Sequence, residues 1–226
     1  MLTGRPAGYD AVIFDLWRTL IHPVALSVDV IGRVLGVPDD VLAPVWLAGR
    51  EKREKGPLRE SIVDIFDVIG LPHDERLLQQ ALDASASLQV QALKQAESIA
   101  VPVLRTLRGA GLRIGVLSNC TSDMASCFCD SAIGKQVDTA VFSSDLGLMK
   151  PDIRMYRHVS EQLKVTSARC LYVGDGADEE LVGAAAAGMN PVLLSTAESG
   201  WSGPRISNLH DVIPLAIDSP HENGRQ

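Results

Sequence analysis

The sequence lacks the features that mark secreted, membrane-spanning and nucleic-acid-binding proteins. Only four cysteines occur in 226 residues, none forms a CxxC pair, and no histidine stands at zinc-finger spacing from them. No apolar run approaches the roughly 18 residues that a membrane span needs, and no signal peptide is visible. The net charge of −7 provides no basic footprint for nucleic acid. We therefore expect a cytoplasmic monomer or homodimer with a small-molecule partner and neither nucleic-acid nor membrane partners.

The composition is that of a globular protein with a sizeable core. Hydrophobic residues make up 46% of the chain and charged residues 22%, which suits one large domain or a domain with an insert. The Cys127 and Cys129 pair could bind a metal or act in redox chemistry. We expect it, like Cys120 and Cys170, to serve as small apolar packing instead.

The hydrophobic pattern changes twice along the chain. Strand patterns are predicted at 11–15, 112–117, 139–142, 170–173 and 192–194, and the later ones alternate with helices at 103–110, 122–133, 152–163 and 178–187. Between the first strand and the rest, the pattern predicts four helices, at 24–35, 39–55, 58–69 and 73–97. This order predicts an α/β fold, a Rossmann-like parallel sheet flanked by helices. We assign 1–20 and 97–216 to this core, 21–96 to an all-helical insert and 217–226 to a flexible tail.

Polar residues follow four of the predicted strands. Asp15 ends the first, Ser118 and Asn119 end the second, Lys150 comes soon after the third, and Asp175 follows the fourth. Because the carboxyl ends of parallel strands share one edge of the sheet, we expect these residues to converge on one crevice. Taken singly, each is an ordinary turn, an N-cap or a solvated loop residue. Their occurrence in this order argues against coincidence.

Convergence of these side chains predicts a specific chemistry. Two carboxylates at close range, from Asp15 and Asp175, repel each other, and we expect a divalent cation to be what makes their proximity tolerable. Oxygen ligands with few carboxylates suit Mg²⁺. Mg²⁺, the Lys150 ammonium and the Ser118 hydroxyl would form an anion cradle, and phosphate is the obvious anion. Asp15 could then attack phosphorus and form an acyl-phosphate.

Taken together, these stretches resemble the motifs of the haloacid dehalogenase superfamily of aspartate-nucleophile hydrolases. The four motifs match Phe14-Asp15-Leu16-Trp17-Arg18-Thr19-Leu20, Leu117-Ser118-Asn119, the run from Ser143 to Pro151, and Val173-Gly174-Asp175-Gly176 with the acidic and small residues that follow. The resemblance covers nearly the whole chain. The helical insert falls where one branch of the superfamily carries a helical cap, so 21–96 is expected to be a cap domain.

The resemblance also implies roles for individual residues. Asp15 is the expected nucleophile, and Ser118 and Lys150 are expected to hold the nucleophile and the phosphoryl group. The expected Mg²⁺ ligands are Asp15, Asp175, the carbonyl of Trp17 and a supporting glutamate. We favour Glu180 over Glu179 because Glu180 keeps the family's distance to Gly183-Ala184. The remaining residues expected to contact substrate or support the first loop are Asn119, Trp17, Arg18 and Thr19.

One departure leaves the activity open. The family's phosphatases carry an acid–base aspartate where this chain has Trp17, and an indole can only donate a hydrogen bond. Arg18 stands where glycine is usual, and it could face either the substrate anion or solvent. The dehalogenase branch has an aromatic residue at position 17, and Tyr156 also matches it, but its fourth motif has serine and asparagine in place of Asp175 and Ala177.

We therefore expect a Mg²⁺-dependent phosphatase that acts on a small phosphorylated metabolite. The alternatives are a metal-independent 2-haloacid dehalogenase and a catalytically weak, ligand-binding member of the fold. Arg50 and Arg53 of the insert could reach a substrate anion, although such a charged run is more often a solvated helix face.

Overall fold

A computed structural model describes residues 8–197 and 200–218, with a six-stranded parallel sheet at its centre. The strand order is β3-β2-β1-β4-β5-β6, and every neighbouring pair is parallel. The strands are β1 (Ala11–Phe14), β2 (Arg113–Ser118), β3 (Thr139–Phe142), β4 (Cys170–Gly174), β5 (Asn190–Leu194) and β6 (Arg205–Ile206). The predicted α/β class and all five predicted strands are confirmed. The short β6 was not predicted.

Helices cover both faces of the sheet. The described residues contain α1 (Ser27–Leu35), α2 (Asp39–Ala48), α3 (Arg50–Lys55), α4 (Leu58–Ile69), α5 (Glu75–Gly109), α6 (Ser122–Phe128), α7 (Ser143–Leu146), α8 (Ile153–Leu163), α9 (Glu180–Ala186) and α10 (Val212–Asp218). Because side chains alternate along a strand, β1 contributes to two cores. Val12 and Phe14 pack with α5, α6 and α10, while Ala11 and Ile13 pack with α8 and α9.

The inserted helices have a hydrophobic core of their own. It combines residues of α1, α2, α4 and the first turns of α5, namely Ile31, Leu35, Leu42, Leu58, Ile62, Ile65, Phe66, Leu78 and Ala81. From Ala92 onward, α5 packs against the sheet instead. A separate core supports the predicted helical insert, while its boundaries at 21 and 96 remain predictions.

Helix α5 corrects the prediction of two helices separated at Pro102. It is continuous from Glu75 to Gly109. A proline inside a helix removes one hydrogen bond and usually bends or breaks the helix. Here the ring of Pro102 lies on the exposed face, and Val101 and Val103 on either side are buried in the core. Packing of these neighbours outweighs the lost hydrogen bond.

Other predicted elements differ in their bounds. The helix predicted at 39–55 is divided at Gly49 into α2 and α3, and the helix predicted at 122–133 ends at Phe128. The helix predicted from 178 begins at Glu180, because Asp178 and Glu179 both have left-handed backbones with φ near +53°. The short helices α7 and α10 were not predicted. Most of the predicted tail, 219–226, lies outside the described residues, and Ile217 belongs to α10.

The structure also bears on membrane-spanning helices and on the packing of the cysteines. Within the described ranges, none of the helices combines the length and apolarity needed to cross a membrane. Cys120 and Cys170 are buried, as expected for apolar packing, whereas Cys129 is exposed and the expectation is wrong for that residue.

Candidate active site

The predicted site residues meet at the carboxyl edge of the sheet. Asp15 follows β1, and its backbone N–H donates to the carbonyl of Val173 in the neighbouring strand at 2.8 Å. Asp175 follows β4. Ligand oxygens of Asp15, Asp175 and Glu180 all lie within 4.8 Å of one another. The topology therefore brings together carboxylates that are up to 165 positions apart in the chain (15 against 180).

Lys150 connects the buried members of this group. Its Nζ lies 2.5 Å from Asp15 Oδ1 and 2.5 Å from Glu180 Oε2, and all three side chains are almost fully buried. The hydroxyl of Tyr172 donates to Glu180 Oε2 at 2.7 Å and lies 3.2 Å from Lys150 Nζ. Thr19 donates to the second oxygen of Asp15 at 3.2 Å. The nucleophile candidate is thus fixed by a hydrogen bond to each of its carboxylate oxygens.

Burial and charge act in opposite directions on this cluster. Burial raises the pKa of Asp15 to about 7, against a lowering contribution from the charge of Lys150. Burial lowers the pKa of Lys150, but the charges of Asp15 and Glu180 outweigh this effect and leave that pKa above its ordinary value. The ammonium therefore stays protonated at neutral pH and is available to hold an anionic group.

Glu180, rather than Glu179, points into the site. Its Oε1 accepts a hydrogen bond from the Gly176 N–H at 3.0 Å, and the side chain is buried. A Cβ on Gly174 would collide with the Glu180 carboxylate, so glycine is required there for this approach. The left-handed conformations of Asp178 and Glu179 turn the chain so that α9 starts with Glu180 facing inward. This placement agrees with our choice of Glu180, whose role toward a metal remains a prediction.

Arg18 lines the cavity and also contacts one of the predicted metal ligands, and its contact with a substrate anion remains a prediction. Its Nε forms an ion pair with Asp175 Oδ2 at 2.5 Å, although 58% of its side chain is exposed. The other oxygen of Asp175 accepts from the Ala177 N–H at 3.0 Å. The expectation that only a divalent ion makes the two aspartates tolerable is therefore incomplete, because Lys150 and Arg18 already supply positive charge to them.

The second predicted motif holds Lys150 in place. The side chain of Asn119 accepts from the Lys150 N–H at 2.8 Å and donates to its carbonyl at 3.2 Å. Ser118 is fully buried, and its nearest hydrogen-bond partner is the Asn119 carbonyl at 3.5 Å. Of the two, Asn119 lines the cavity in front of Asp15, and Ser118 is not among the described residues that do. The predicted phosphoryl contact of Ser118 remains a prediction.

A cavity of about 300 Å³ separates this edge of the sheet from the helical insert. Asp15, Trp17 and Lys150 line it from the sheet side. Arg50 and Arg53 line it from the insert. The insert is therefore positioned to shape what can approach Asp15.

The two insert arginines have different surroundings. Arg50 forms two hydrogen bonds, of 2.9 and 2.5 Å, with the carboxylate of Asp178 and so joins the insert to the loop after β4. Arg53 is 4% exposed, and its guanidinium carbon lies 3.8 Å from the centroid of the Trp46 ring. Burial lowers the pKa of Arg53 to about 10. The usual interpretation of this run as a solvated face is wrong for Arg53.

Sequence reasoning missed two residues of the site. Tyr172 lies on β4, and the alternation of that strand does not indicate which face meets the cluster. Asp178 belongs to an acidic run that was noticed, but its pairing with Arg50 depends on the left-handed turn and on the position of the insert. No sequence signal identified either contact.

A buried aspartate at the end of the central strand β1 faces a cavity beside a buried lysine, at the edge where open α/β sheets bind ligands. The family model described as a haloacid dehalogenase-like hydrolase matches residues 9–188. The chain therefore belongs to the haloacid dehalogenase-like hydrolases.

Two of the curated relatives are named as phosphatases. The chain is 34% identical to a phosphatase of Mycobacterium tuberculosis (strain CDC 1551 / Oshkosh) over 55% of this chain and 58% of that protein. It is 28% identical to the glyceraldehyde 3-phosphate phosphatase of Methanopyrus kandleri over 68% of this chain and 65% of that protein. The chain thus spans less than two thirds of the length of these curated relatives.

Among solved structures, a 2-haloacid dehalogenase from Pseudomonas syringae pv. Tomato DC3000 superposes with a TM-score of 0.66. The sequence identity is 20%, and the match covers 92% of this chain and 97% of that chain. At this identity the likeness supports the shared fold alone.

Proposed function

We propose that the chain is a magnesium-dependent phosphatase that hydrolyses a small phosphorylated metabolite through an aspartyl-phosphate on Asp15. The observation that carries this proposal is the group of three carboxylates, Asp15, Asp175 and Glu180, gathered beside Lys150 at a cavity. Two curated relatives are named as phosphatases, and one of them acts on glyceraldehyde 3-phosphate. A phosphorylated metabolite of that size is compatible with a cavity of about 300 Å³.

The donor set fits Mg²⁺. All three side chains offer oxygen ligands, and each carboxylate keeps at least one oxygen that accepts a single hydrogen bond and so has a lone pair available. For Glu180 this oxygen is Oε1, because Oε2 already accepts from both Lys150 and Tyr172. Asp15 and Asp175 would hold the ion with the Trp17 carbonyl, and Glu180 would support it. Bound there, Mg²⁺ supplies positive charge that stabilises the charge developing on the phosphoryl oxygens.

The chain's own residues account for two displacement steps. An oxygen of Asp15 attacks phosphorus and the bond to the leaving oxygen breaks, which gives the aspartyl-phosphate and the departing alcohol or acid. The Lys150 ammonium holds Asp15 and the phosphoryl oxygens during transfer. Water then attacks phosphorus, which releases phosphate and regenerates Asp15.

Trp17 determines which leaving groups depart readily. It lines the cavity where an acid–base group would be useful, but an indole N–H cannot protonate a leaving alkoxide. General acid catalysis typically contributes about 10²–10⁴-fold to a rate. Substrates whose leaving oxygen needs little protonation, such as acyl and aryl phosphates, should therefore react fastest.

Trp17 also favours a second candidate, metal-independent 2-haloacid dehalogenation, because halide leaves without a proton. The acidic Asp175 and Glu180 beside Asp15 argue against this alternative, since they would repel an anionic 2-haloacid. A third candidate is a ligand-binding protein without turnover, which Trp17 and Arg18 motivate.

One set of assays separates these candidates. Release of phosphate from acetyl phosphate and 4-nitrophenyl phosphate is measured with Mg²⁺ and with chelator, in the wild type and in Asp15→Asn. We expect turnover that requires Mg²⁺ and is lost in Asp15→Asn. Metal-independent phosphate release would refute the proposal, and halide release from 2-chloropropionate with chelator present would establish the dehalogenase. Phosphate binding without turnover of either substrate class would establish the ligand-binding alternative.

A further inference from the structure

We propose that Arg18 competes with the divalent cation for Asp175 and thereby sets the cation affinity of the site. The inference rests on the metal site of the proposed function and adds a regulatory role for one residue of this chain. It follows from the partners of each carboxylate oxygen and from the exposure of the groups that donate to them.

The carboxylate of Asp175 is already engaged on both oxygens. Oδ1 accepts from the Ala177 N–H at 3.0 Å, and Oδ2 lies 2.5 Å from Arg18 Nε. The Ala177 contact is part of the backbone turn, whereas the Arg18 contact is made by a side chain. A cation that takes Oδ2 as a ligand must share that oxygen with the guanidinium or displace it.

Arg18 is the donor in this cluster that can leave most easily. The other side chains that donate to the three carboxylates are Lys150, Thr19 and Tyr172, and all of them are buried. Arg18 is 58% exposed, so its guanidinium can swing into solvent without opening the core. The competition is therefore confined to this one side chain.

The backbone keeps Arg18 tethered at the cavity. Its φ is +58°, in the left-handed region that a non-glycine residue seldom occupies. Its N–H donates to the Ile21 carbonyl at 2.6 Å, which closes the loop after β1. The loop therefore holds the start of the Arg18 side chain close to Asp175.

The charges of the cluster favour replacement of Arg18 by the cation over binding of both to Asp175. The carboxylates of Asp15, Asp175 and Glu180 exceed the positive charges of Lys150 and Arg18 by one unit. If a divalent ion replaces Arg18, the positive and negative charges of the cluster become equal. If Arg18 stays, the guanidinium and the ion repel each other at close range.

The test measures cation binding directly. Mg²⁺ is titrated calorimetrically into the wild type, Arg18→Gln, Arg18→Lys and the control Arg154→Gln. Arg154 is also exposed, at 65%, and also pairs with an aspartate at 2.5 Å, but that aspartate is Asp152, outside the cluster. We expect Arg18→Gln to tighten Mg²⁺ binding about fivefold, the factor that corresponds to losing one exposed competing ion pair. Arg18→Lys should stay within about threefold of the wild type because it keeps the charge, and Arg154→Gln should match the wild type.

A second readout guards against a variant that folds poorly. Because a ligand that binds only the folded state raises Tm more when it binds more tightly, Mg²⁺ at one concentration should raise the Tm of Arg18→Gln more than that of the wild type. Arg18→Gly, which suits the left-handed backbone, replaces Arg18→Gln if the latter does not fold.

Unchanged or weaker Mg²⁺ binding in Arg18→Gln would overturn the inference. Failure of both proteins to bind Mg²⁺ would overturn it together with the metal dependence of the proposed function. If Arg18→Gln binds Mg²⁺ more tightly and no phosphate is released from any substrate, the inference stands and the phosphatase proposal fails.

Discussion

Lys150→Met should destabilise the protein strongly, because it removes the one ammonium that separates two buried carboxylates. Lys150 Nζ lies 2.5 Å from oxygens of both Asp15 and Glu180, and the lysine side chain is 4% exposed. Methionine fills similar space but leaves the carboxyl groups of Asp15 and Glu180 buried side by side without a cation, so one of them must take up a proton or stay an unpaired anion. The variant therefore tests the charge arrangement rather than the packing.

The size of the effect follows from the burial. Removing one partner of a buried ion pair typically costs about 3–5 kcal/mol. For a chain of this size, 1 kcal/mol corresponds to a Tm change of roughly 2–4 °C, so Tm should fall by roughly 6–20 °C. The free energy of unfolding is measured by urea denaturation at neutral pH in buffer that contains a chelator, which removes any contribution from bound cations.

The chain offers a matched control and a rescue. Lys52 also contacts one carboxylate, that of Asp64, but the two side chains are 57% and 46% exposed. Lys52→Met should therefore cost less than about 1 kcal/mol. Glu180→Gln added to Lys150→Met removes one of the two orphaned charges and should recover part of the loss. If Lys150→Met costs no more than Lys52→Met, the argument from buried charge is wrong.

Two further predictions concern activity. Trp17→Asp introduces a carboxyl group at the cavity and should raise kcat/KM for alkyl phosphates about 10²-fold, with little change for aryl phosphates. If the ratio of kcat/KM between alkyl and aryl phosphates does not change, another group protonates the leaving oxygen. Arg50→Met removes the ion pair with Asp178, which joins the insert to the core, and should raise KM about tenfold. The free energy of unfolding should fall by less than about 1 kcal/mol, because the pair is half-exposed. Arg59→Met, which removes an exposed pair with Glu75, is its control and should leave KM unchanged; equal KM values in the two variants would contradict a role for Arg50 in closing the cavity.

The parts of the fold that depend on local patterns could be predicted from the sequence. Strand β1 is an uninterrupted apolar run buried on both faces, and the predicted strand at 139–142 has the observed bounds. The continuity of α5 could not be predicted, because a proline signals a break and only the buried neighbours of Pro102 show why the helix continues. Local propensity gives way to tertiary packing at such positions.

The candidate site likewise contains features that could be predicted from the sequence and features that could not. Convergence of Asp15, Lys150 and Asp175 follows from parallel topology, which places strand ends at one edge whatever the sequence distance. The partners of Arg18, Arg50 and Tyr172 do not follow from it, because they depend on side-chain direction and on how the insert lies over the sheet. No local sequence pattern indicates contacts between segments that are far apart in the chain.

These unpredicted contacts change what the divalent ion is needed for. From the sequence we expect a divalent ion to be the condition for placing two carboxylates together, yet Lys150 and Arg18 offset all but one charge of the three-carboxylate group. A cluster this close to neutrality can fold without the ion, since each buried anion already has a cation beside it. If a divalent ion binds as proposed, its contribution would then be to stabilise charge on the phosphoryl group, and its affinity would depend on how readily Arg18 leaves Asp175.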